Sequence, residues 1–375
     1  MRIGIVAGET SGDSLGAGLM RELKSFNSDI IFEGIFGPKM EKIAGDKGWA
    51  SAEELSVMGI LEPLKILPKL IYLRNTLIRR WSANPPDVFI GIDAPEFNLT
   101  LEKKLHKRGV KTVHYVSPSI WAWRKNRIKK IQKSVDKVLC LLPFEANLYH
   151  AHNIPAVFVG HPLAKKLPYD IKKSAARENL EISSETVIAM LPGSRSSEIE
   201  KLGPVFARVA KLVITQDKKI SFVSPMVSQS AYDQFEDILE SNHIRNAFRI
   251  IKGNSYEAMI ASDLVLLASG TAALESSLLL RPTIAAYKLS SLSYFILNKL
   301  VSTPFFTLPN ILLGKEVIPE FIQNNASDTK IFKSICRYLF DINHQQNMVN
   351  NFVKLKSLLD ADTDKLAASE VLKLL

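Results

Sequence analysis

The chain has 375 residues, 46% hydrophobic and 23% charged, a balance that suits two folded α/β domains and excludes a disordered or fibrous protein. No stretch approaches the roughly 20 uninterrupted apolar residues of a membrane span, and the two cysteines, Cys140 and Cys336, show no metal-ligand or redox spacing. The net charge of +10 instead asks for an acidic partner: nucleic acid, anionic lipid or a phosphorylated substrate.

The opening residues, MRIGIVAGE, enter a strand pattern directly, with no secretory signal, and a cytoplasmic protein is expected. Arg2–Ala7 is a short apolar strand, followed by Gly8-Glu9-Thr10-Ser11-Gly12-Asp13 and a helical pattern with Leu15, Leu19 and Leu23 on one face. This is the first βα unit of a doubly wound domain, but it lacks GxGxxG, which disfavours a dinucleotide enzyme. Glycines at 8 and 12 would let the loop pass close to a ligand, with Glu9, Ser11 and Asp13 as its polar groups. The alternative is a plain turn with an N-cap.

Leu61–Trp81 combines apolar and basic character. Pro68 could open a helix with Leu70, Leu73, Leu77 and Trp81 on one side, while Lys69, Arg74, Arg79 and Arg80 concentrate positive charge. Such a segment suits an anionic membrane surface, or else a core helix whose polar face is basic. Asp87–Asn98 reads as a buried strand, Val88–Ile92, that delivers Asp93 to its carboxyl end, with Pro95 opening the next helix. Asp93 is then placed either as a general base or as an N-cap.

Val110–Val116 is a further strand, leading into a loop with Trp121, Trp123 and Arg124. Lys125, Arg127, Lys129 and Lys130 follow. Aromatic and basic residues together can bind single-stranded nucleic acid, yet this cluster is short and sits inside a βα repeat, and nucleic acid is not expected. Strands at Lys137–Leu142 and Val157–Val159 end at Gly160-His161-Pro162, where His161 would contact phosphate or cap the strand. The linker is read at Leu167–Lys173.

The second half repeats the βα logic. Thr186–Leu191 runs into Pro192-Gly193-Ser194-Arg195 and a helix, a small-residue turn with an Arg suited to phosphate. Strands at Ile220–Ser224 and Phe248–Ile251 and a helix at Ser255–Ala261 precede Ser262–Glu275. There Leu264–Ala268 is a strand buried on both faces, and Ser269, Gly270 and Thr271 turn into a helix bearing Glu275. Unpaired N–H groups at that helix start suit a phosphate, with Glu275 placed to accept from ribose hydroxyls; the alternative is an ordinary βα turn with a surface Glu. Thr283–Tyr287, the apolar and basic Ser290–Leu308, and Pro309-Asn310-Ile311 follow, and the tail from Asp328 is helical.

The expectation is therefore α/β: two Rossmann-like doubly wound domains, residues 1–166 and 167–343, with a helical tail, 344–375, that packs across a domain or dimer boundary. No HxxxH, DxD or paired-carboxylate metal site is visible, so Arg195 and helix N-termini are expected to stabilise a departing diphosphate without metal or cofactor. This describes a nucleotide-sugar glycosyltransferase. A UDP-sugar 2-epimerase shares the architecture but has no need of the basic apolar helix, and a non-enzymatic adaptor leaves both phosphate turns unexplained.

GETSGD at 8–13, IDAPEFN at 92–98, YVSPSIWAWR at 115–124, LPFE at 142–145, GHPL at 160–163, LPGSR at 191–195, ASGTAALE at 268–275 and PNIL at 309–312 occur in this order. Together they resemble the lipid-A-disaccharide synthase family, from the first strand to about Gln323. Glu96 stands where that family usually has Asp. The resemblance implies a GT-B-type inverting transfer in lipid A biosynthesis in a Gram-negative bacterium, from UDP-2,3-diacylglucosamine to the 6-hydroxyl of 2,3-diacylglucosamine 1-phosphate (lipid X). It implies Asp93 as base, with Glu9 and Asp13 as alternatives or acceptor-orienting groups. Ser11, Trp121 and His161 would line the substrate site. Ser194, Arg195, Ser269, Gly270 and Thr271 would hold the UDP phosphates, Glu275 the ribose and Asn310 the uridine side. The basic helix would attach the protein peripherally to the inner membrane through Lys69, Arg74, Arg79, Arg80 and Trp81, and a homodimer is compatible with the tail.

Overall fold

The structure is a computed structural model and describes residues 1–55, 62–121, 125–167, 169, 172–289 and 303–375. The chain forms two compact units, one made of Met1–Lys165 with Leu359–Leu375 and the other of Lys166–Leu358.

The first unit is built on a seven-stranded parallel sheet in the order β3-β2-β1-β4-β5-β6-β7. Its strands are β1 (Arg2–Ala7), β2 (Ile31–Phe36), β3 (Ala50–Ser51), β4 (Val88–Ile92), β5 (Lys111–Tyr115), β6 (Lys137–Cys140) and β7 (Ala156–Phe158). Central strands of such a sheet are covered on both faces, and β4 is accordingly apolar and buried at every position. The helices between them are α1 (Thr10–Phe26), α2 (Pro38–Ala44), α3 (Glu62–Ala83), α4 (Pro95–His106), α5 (Ile128–Gln132), α6 (Pro143–His150) and α7 (Pro162–Lys166). The chain leaves β1 toward β2 on one side and reaches β4 on the other. The β1/β4 pair, in register at Ile3↔Val88 and Ala7↔Ile92, is therefore the topological switch point, where open α/β sheets bind ligands beyond their carboxyl ends.

The second unit repeats the plan with six parallel strands in the order β10-β9-β8-β11-β12-β13. They are β8 (Thr186–Leu191), β9 (Ile220–Met226), β10 (Phe248–Lys252), β11 (Leu264–Ala268), β12 (Thr283–Tyr287) and β13 (Glu320–Ile322). Helices α8 (Lys173–Asn179), α9 (Ser196–Gln216), α10 (Gln229–Ser241), α11 (Ser255–Ala261) and α12 (Thr271–Leu278) accompany them. In α9 the buried Ile199, Leu202, Phe206, Val209 and Val213 recur at three- and four-residue steps, so one stripe faces the sheet. The switch point here is β8/β11.

Three local expectations need correction. Helix α3 starts at Glu62 rather than Pro68, which lies inside it. Strand β2 has no counterpart in the sequence reading, because Glu33 and Gly34 interrupt the apolar run of IFEGIF. The helical residues after 343 do not form one segment: those up to Leu358 belong to the second unit, whereas Thr363–Leu372 packs on α1 in the first. Ala367, Ala368 and Val371 are buried there beside Leu15, Leu19 and Leu23. Trp123, Arg124 and most of Ser290–Leu308 lie outside the described residues, as do parts of the linker.

Candidate active site

At the β1/β4 switch point the strand ends bring two carboxylates together. Glu9 precedes α1 with extended backbone, and Asp93 follows β4. Burial, and then the charge of Asp93, hold the Glu9 carboxyl above the ordinary carboxylate range. The backbone at this point is unusual. Asp93 (φ 51°) and Ala94 (φ 42°) are both left-handed, and so is Val116 (φ 78°) at the end of neighbouring β5. Left-handed non-glycine residues cost about 1–3 kcal/mol each and persist only where the surroundings fix them. Here the Asp93 N–H donates to Tyr115 O at 2.9 Å, the Asn98 amide donates to Asp93 O at 2.8 Å, and Val116 N–H donates to Leu139 O at 3.0 Å.

Asp13 does not share this exposure. It is buried, and its two oxygens accept the backbone N–H groups of Lys39 (3.0 Å) and Met40 (2.9 Å), tying α1 to the start of α2. Each oxygen thus holds one backbone N–H, which makes Asp13 an anchor between the two helices. Thr10–Asp13 forms the first turn of α1 instead of a loop, leaving Ser11 exposed there.

Trp121 is half-buried, packed edge-to-face on Phe144 with ring centroids 5.3 Å apart, and donates its indole N–H to Glu145 at 3.1 Å. Burial pushes the Glu145 carboxyl up to about 7. The sequence reading passed over Glu145. The signal was its place three residues after Leu142, whose N–H it accepts at 3.2 Å, as in half of a capping box. His161 follows β7, and desolvation pushes its imidazole down to about 4. Its Nδ1 accepts the Leu163 N–H at 3.3 Å, so the neutral ring carries its proton on Nε2.

The basic helix splits its residues between two roles. Trp81 is only 1% exposed, donates to Glu33 at 2.8 Å and stacks on Trp49 and Phe89 at 5.2 and 5.1 Å. It is therefore core, and its expected membrane role is corrected: a buried indole with a satisfied N–H has no free face for lipid. Arg74 is half-buried and donates weakly to Glu96 O. Lys69 pairs with Glu54 at 2.7 Å, and Arg80 lies over the Trp49 ring at 3.7 Å. Exposed among the described side chains of α3 are Lys69, Arg79, Arg80, Leu67 (47%), Ile71 and Tyr72 (69%).

In the second unit the β8/β11 switch point carries the two turns expected to meet phosphate, and they differ. At the start of α9, the Glu198 carboxylate accepts the backbone N–H groups of Ser194 (2.9 Å) and Arg195 (3.3 Å). The acid thus takes the two N–H groups that precede the helix, while the Arg195 and Ser194 side chains are exposed. The start of α12 has no side-chain cap. A Cβ at Gly270 would meet nothing within 4 Å, although the Ser269 N–H is taken by Ala286 O at 2.9 Å. The N-terminal dipole at Thr271 is therefore open to an anion. Glu275, one turn on, is hydrogen-bonded by Tyr256, and burial raises its carboxyl. Tyr287, at the end of β12, feels the charges of both Glu198 and Arg195.

Asn310 departs from its expected role. It is fully buried, and its amide is engaged on both sides: Oδ1 accepts from Val317 and Ile318 N–H, and Nδ2 donates to Ile318 O and Glu320, all at 2.8 Å. Glu320, which the sequence reading left without a role, also accepts from Phe306 and Thr307 N–H and from the Thr307 hydroxyl. Asn310 shapes a loop, and its side chain has no polar valence left for uridine.

Comparison with known proteins identifies the family of the chain. The family model described as lipid-A-disaccharide synthetase matches residues 3–371. The lipid-A-disaccharide synthase of Hahella chejuensis is 44% identical over 376 residues, covering 100% of this chain and 94% of its own. That of Aeromonas hydrophila is also 44% identical, covering 100% and 98%. Among solved structures, UDP-GlcNAc 2-epimerase from Neisseria meningitidis bound to UDP-GlcNAc aligns with a TM-score of 0.62 at 13% identity, covering 100% and 99% of the two chains. A Staphylococcus aureus MnaA–UDP structure aligns with a TM-score of 0.64 at 12% identity, covering 99% and 94%. At such identity these two show the shared GT-B-type fold alone. The sequence relationship goes further: this chain belongs to the lipid-A-disaccharide synthase family and is a glycosyltransferase of lipid A biosynthesis.

Proposed function

We propose that the chain transfers 2,3-diacylglucosamine from UDP-2,3-diacylglucosamine to the 6-hydroxyl of 2,3-diacylglucosamine 1-phosphate with inversion, releasing UDP. The observation that carries this reading is the Glu9–Asp93 carboxylate pair at the β1/β4 switch point. Asp93 takes the proton of the acceptor hydroxyl as its oxygen bonds to the anomeric carbon, and the bond from that carbon to the diphosphate breaks with its electrons on UDP. Glu9 orients the acceptor, its affinity for a proton raised by burial first and by the facing Asp93 carboxylate second.

The second unit holds the nucleotide. Arg195 and the open α12 start at Ser269–Thr271 face the diphosphate, Glu275 the ribose, and the loop held by Asn310 borders the uridine. Ser11, Trp121 and His161 contribute to the sugar side, His161 as a neutral Nε2–H donor. Arg79, Arg80 and the exposed Leu67 and Tyr72 of α3 attach the protein to an anionic inner-membrane surface, where both acylated substrates reside. A homodimer is compatible with this reading.

UDP release is measured with and without the monosaccharide 1-phosphate, in chelator, for the parent and for Asp93→Ala. Acceptor-dependent release that survives chelation and collapses in a folded, UDP-binding Asp93→Ala protein supports the reading. An active Asp93→Ala protein moves the base to Glu9. An isomerised monosaccharide in place of a disaccharide replaces the transferase by an epimerase.

A further inference from the structure

Beneath Asp93 lies a polar assembly that the reaction above does not use. Asn98, one turn into α4, is fully buried. Its Nδ2 donates to Asp93 O at 2.8 Å and Ile92 O at 3.3 Å, and approaches Val6 O at 3.5 Å. One amide thus spans the seam between β1 and β4, the two strands whose ends carry Glu9 and Asp93. Four residues on, and so on the same helix face, Glu102 is fully buried and bonded to the equally buried His114 at 2.7 Å. Both side chains pack over Gly91 of β4, where a Cβ would collide with the Glu102 carboxylate and crowd Asn98 Cβ at 2.9 Å. Asn98 Oδ1, Glu102 Oε2 and His114 Nε2 are buried without a hydrogen-bond partner among the described residues.

Each of these features is unfavourable for folding alone. A glycine weakens a central strand, buried polar atoms without partners are costly, and Asp93 and Ala94 are both left-handed. Asn98 links them to the left-handed turn: it packs over Gly91 beside Glu102, and its amide holds the carbonyl of the 93–94 peptide. We infer that Asn98 is a positioning residue for the transfer: it latches the left-handed Asp93–Ala94 turn and so sets the direction of the Asp93 carboxylate. The inference rests on the proposal that Asp93 is the base. The Glu102–His114 pair is the floor that keeps Asn98 seated over Gly91.

The turn supplies its own test. Asp tolerates left-handed backbone and glycine adopts it freely, but alanine does not. Without the Asn98 latch, Ala94 drives the turn out of shape, and a glycine at that position removes the driving force. Asn98→Ala should lower kcat by roughly 10–100-fold, as expected for a misplaced catalytic group, with KM and UDP affinity within about twofold of the parent. Adding Ala94→Gly should recover a substantial part of kcat. Should Asn98→Ala not fold, Asn98→Ser is read on the same criteria.

A kcat within twofold of the parent overturns the inference. So does a joint fall of kcat, UDP affinity and thermal midpoint that Ala94→Gly does not relieve, the pattern of a merely structural residue. Asp93→Asn is assayed in parallel. If it is inactive while Asn98→Ala is not impaired, the latch fails and the base stands; if it is active, the base itself fails and the latch loses its object.

Discussion

The Glu198 carboxylate accepts the backbone N–H of Arg195 at 3.3 Å, so the residue expected to clamp phosphate is itself held by an acid in the first turn of the helix it precedes. The two turns at the β8/β11 switch point therefore differ: an acid takes N–H groups at one, and the helix start at the other has no side-chain cap. Arg195→Ala should weaken UDP binding by about 10–100-fold, the loss of a charge-assisted contact. Glu198→Ala should cost about 1 kcal/mol of stability through the missing cap. It should also tighten UDP binding, because it frees two N–H donors and removes a like charge. Titration calorimetry and urea unfolding read both; weaker UDP binding by Glu198→Ala would count against this division of labour.

Helix α3 should separate into a core face and a surface face under mutation. Trp81→Ala removes a buried indole that meets two aromatic rings and Glu33, and should destabilise the protein by about 3–5 kcal/mol, with vesicle binding unchanged wherever the protein stays folded. The paired Arg79→Glu and Arg80→Glu changes should instead abolish binding to anionic vesicles, an effect that salt mimics. Tyr72→Ser should weaken it at any salt concentration. Unaltered vesicle sedimentation of the Arg pair would sink the membrane assignment.

Glu145 gives the stability of the protein a definite slope with pH. Its folded carboxyl titrates at about 7, above the ordinary value of 4.5, so between those values the folded state binds more proton than the unfolded one. The contribution is fully present below pH 4.5 and is lost as pH rises toward 7, a total on the order of 3 kcal/mol. Glu145→Gln should flatten this part of the curve in urea titrations at pH 5, 6, 7 and 8. An unchanged slope would place the proton elsewhere.

Asn310 should behave as a structural residue. Asn310→Ala strands the N–H groups of Val317 and Ile318 and leaves Glu320 without one donor, a loss of about 2–5 kcal/mol. Well below the unfolding midpoint, its UDP affinity should stay within about threefold of the parent. A drop in affinity of a hundredfold with stability intact would restore Asn310 to the uridine contact that sequence alone suggested.

Much of the fold was legible because parallel sheets announce themselves. Val88–Ile92 and Leu264–Ala268 are apolar at nearly every position, and the small-residue turns after them mark where helices begin. Asp93 and Arg195 were legible for the same reason, since each follows such a strand. What the one-dimensional pattern concealed was the occupancy of polar groups. Asp13 and Asn310 look like ligand contacts in sequence, yet each is engaged by backbone from a segment up to some tens of residues away. Trp81 was misread because a helix with apolar residues on several sides can serve core and surface together. Only burial tells which side is which.

The last helix also bears on how the molecule is made. Thr363–Leu372 completes the core of the unit that contains residue 1, while Lys166–Leu358 forms a continuous insertion within that unit. During synthesis the inserted unit can close as soon as its own residues have emerged. The first-made sheet stays short of that helix, with α1 lacking its partner, until Thr363–Leu372 has been made. The unit bearing Glu9 and Asp93 is thus begun before the inserted unit and completed after it. Loss of Thr363–Leu372 would strike the N-terminal unit first.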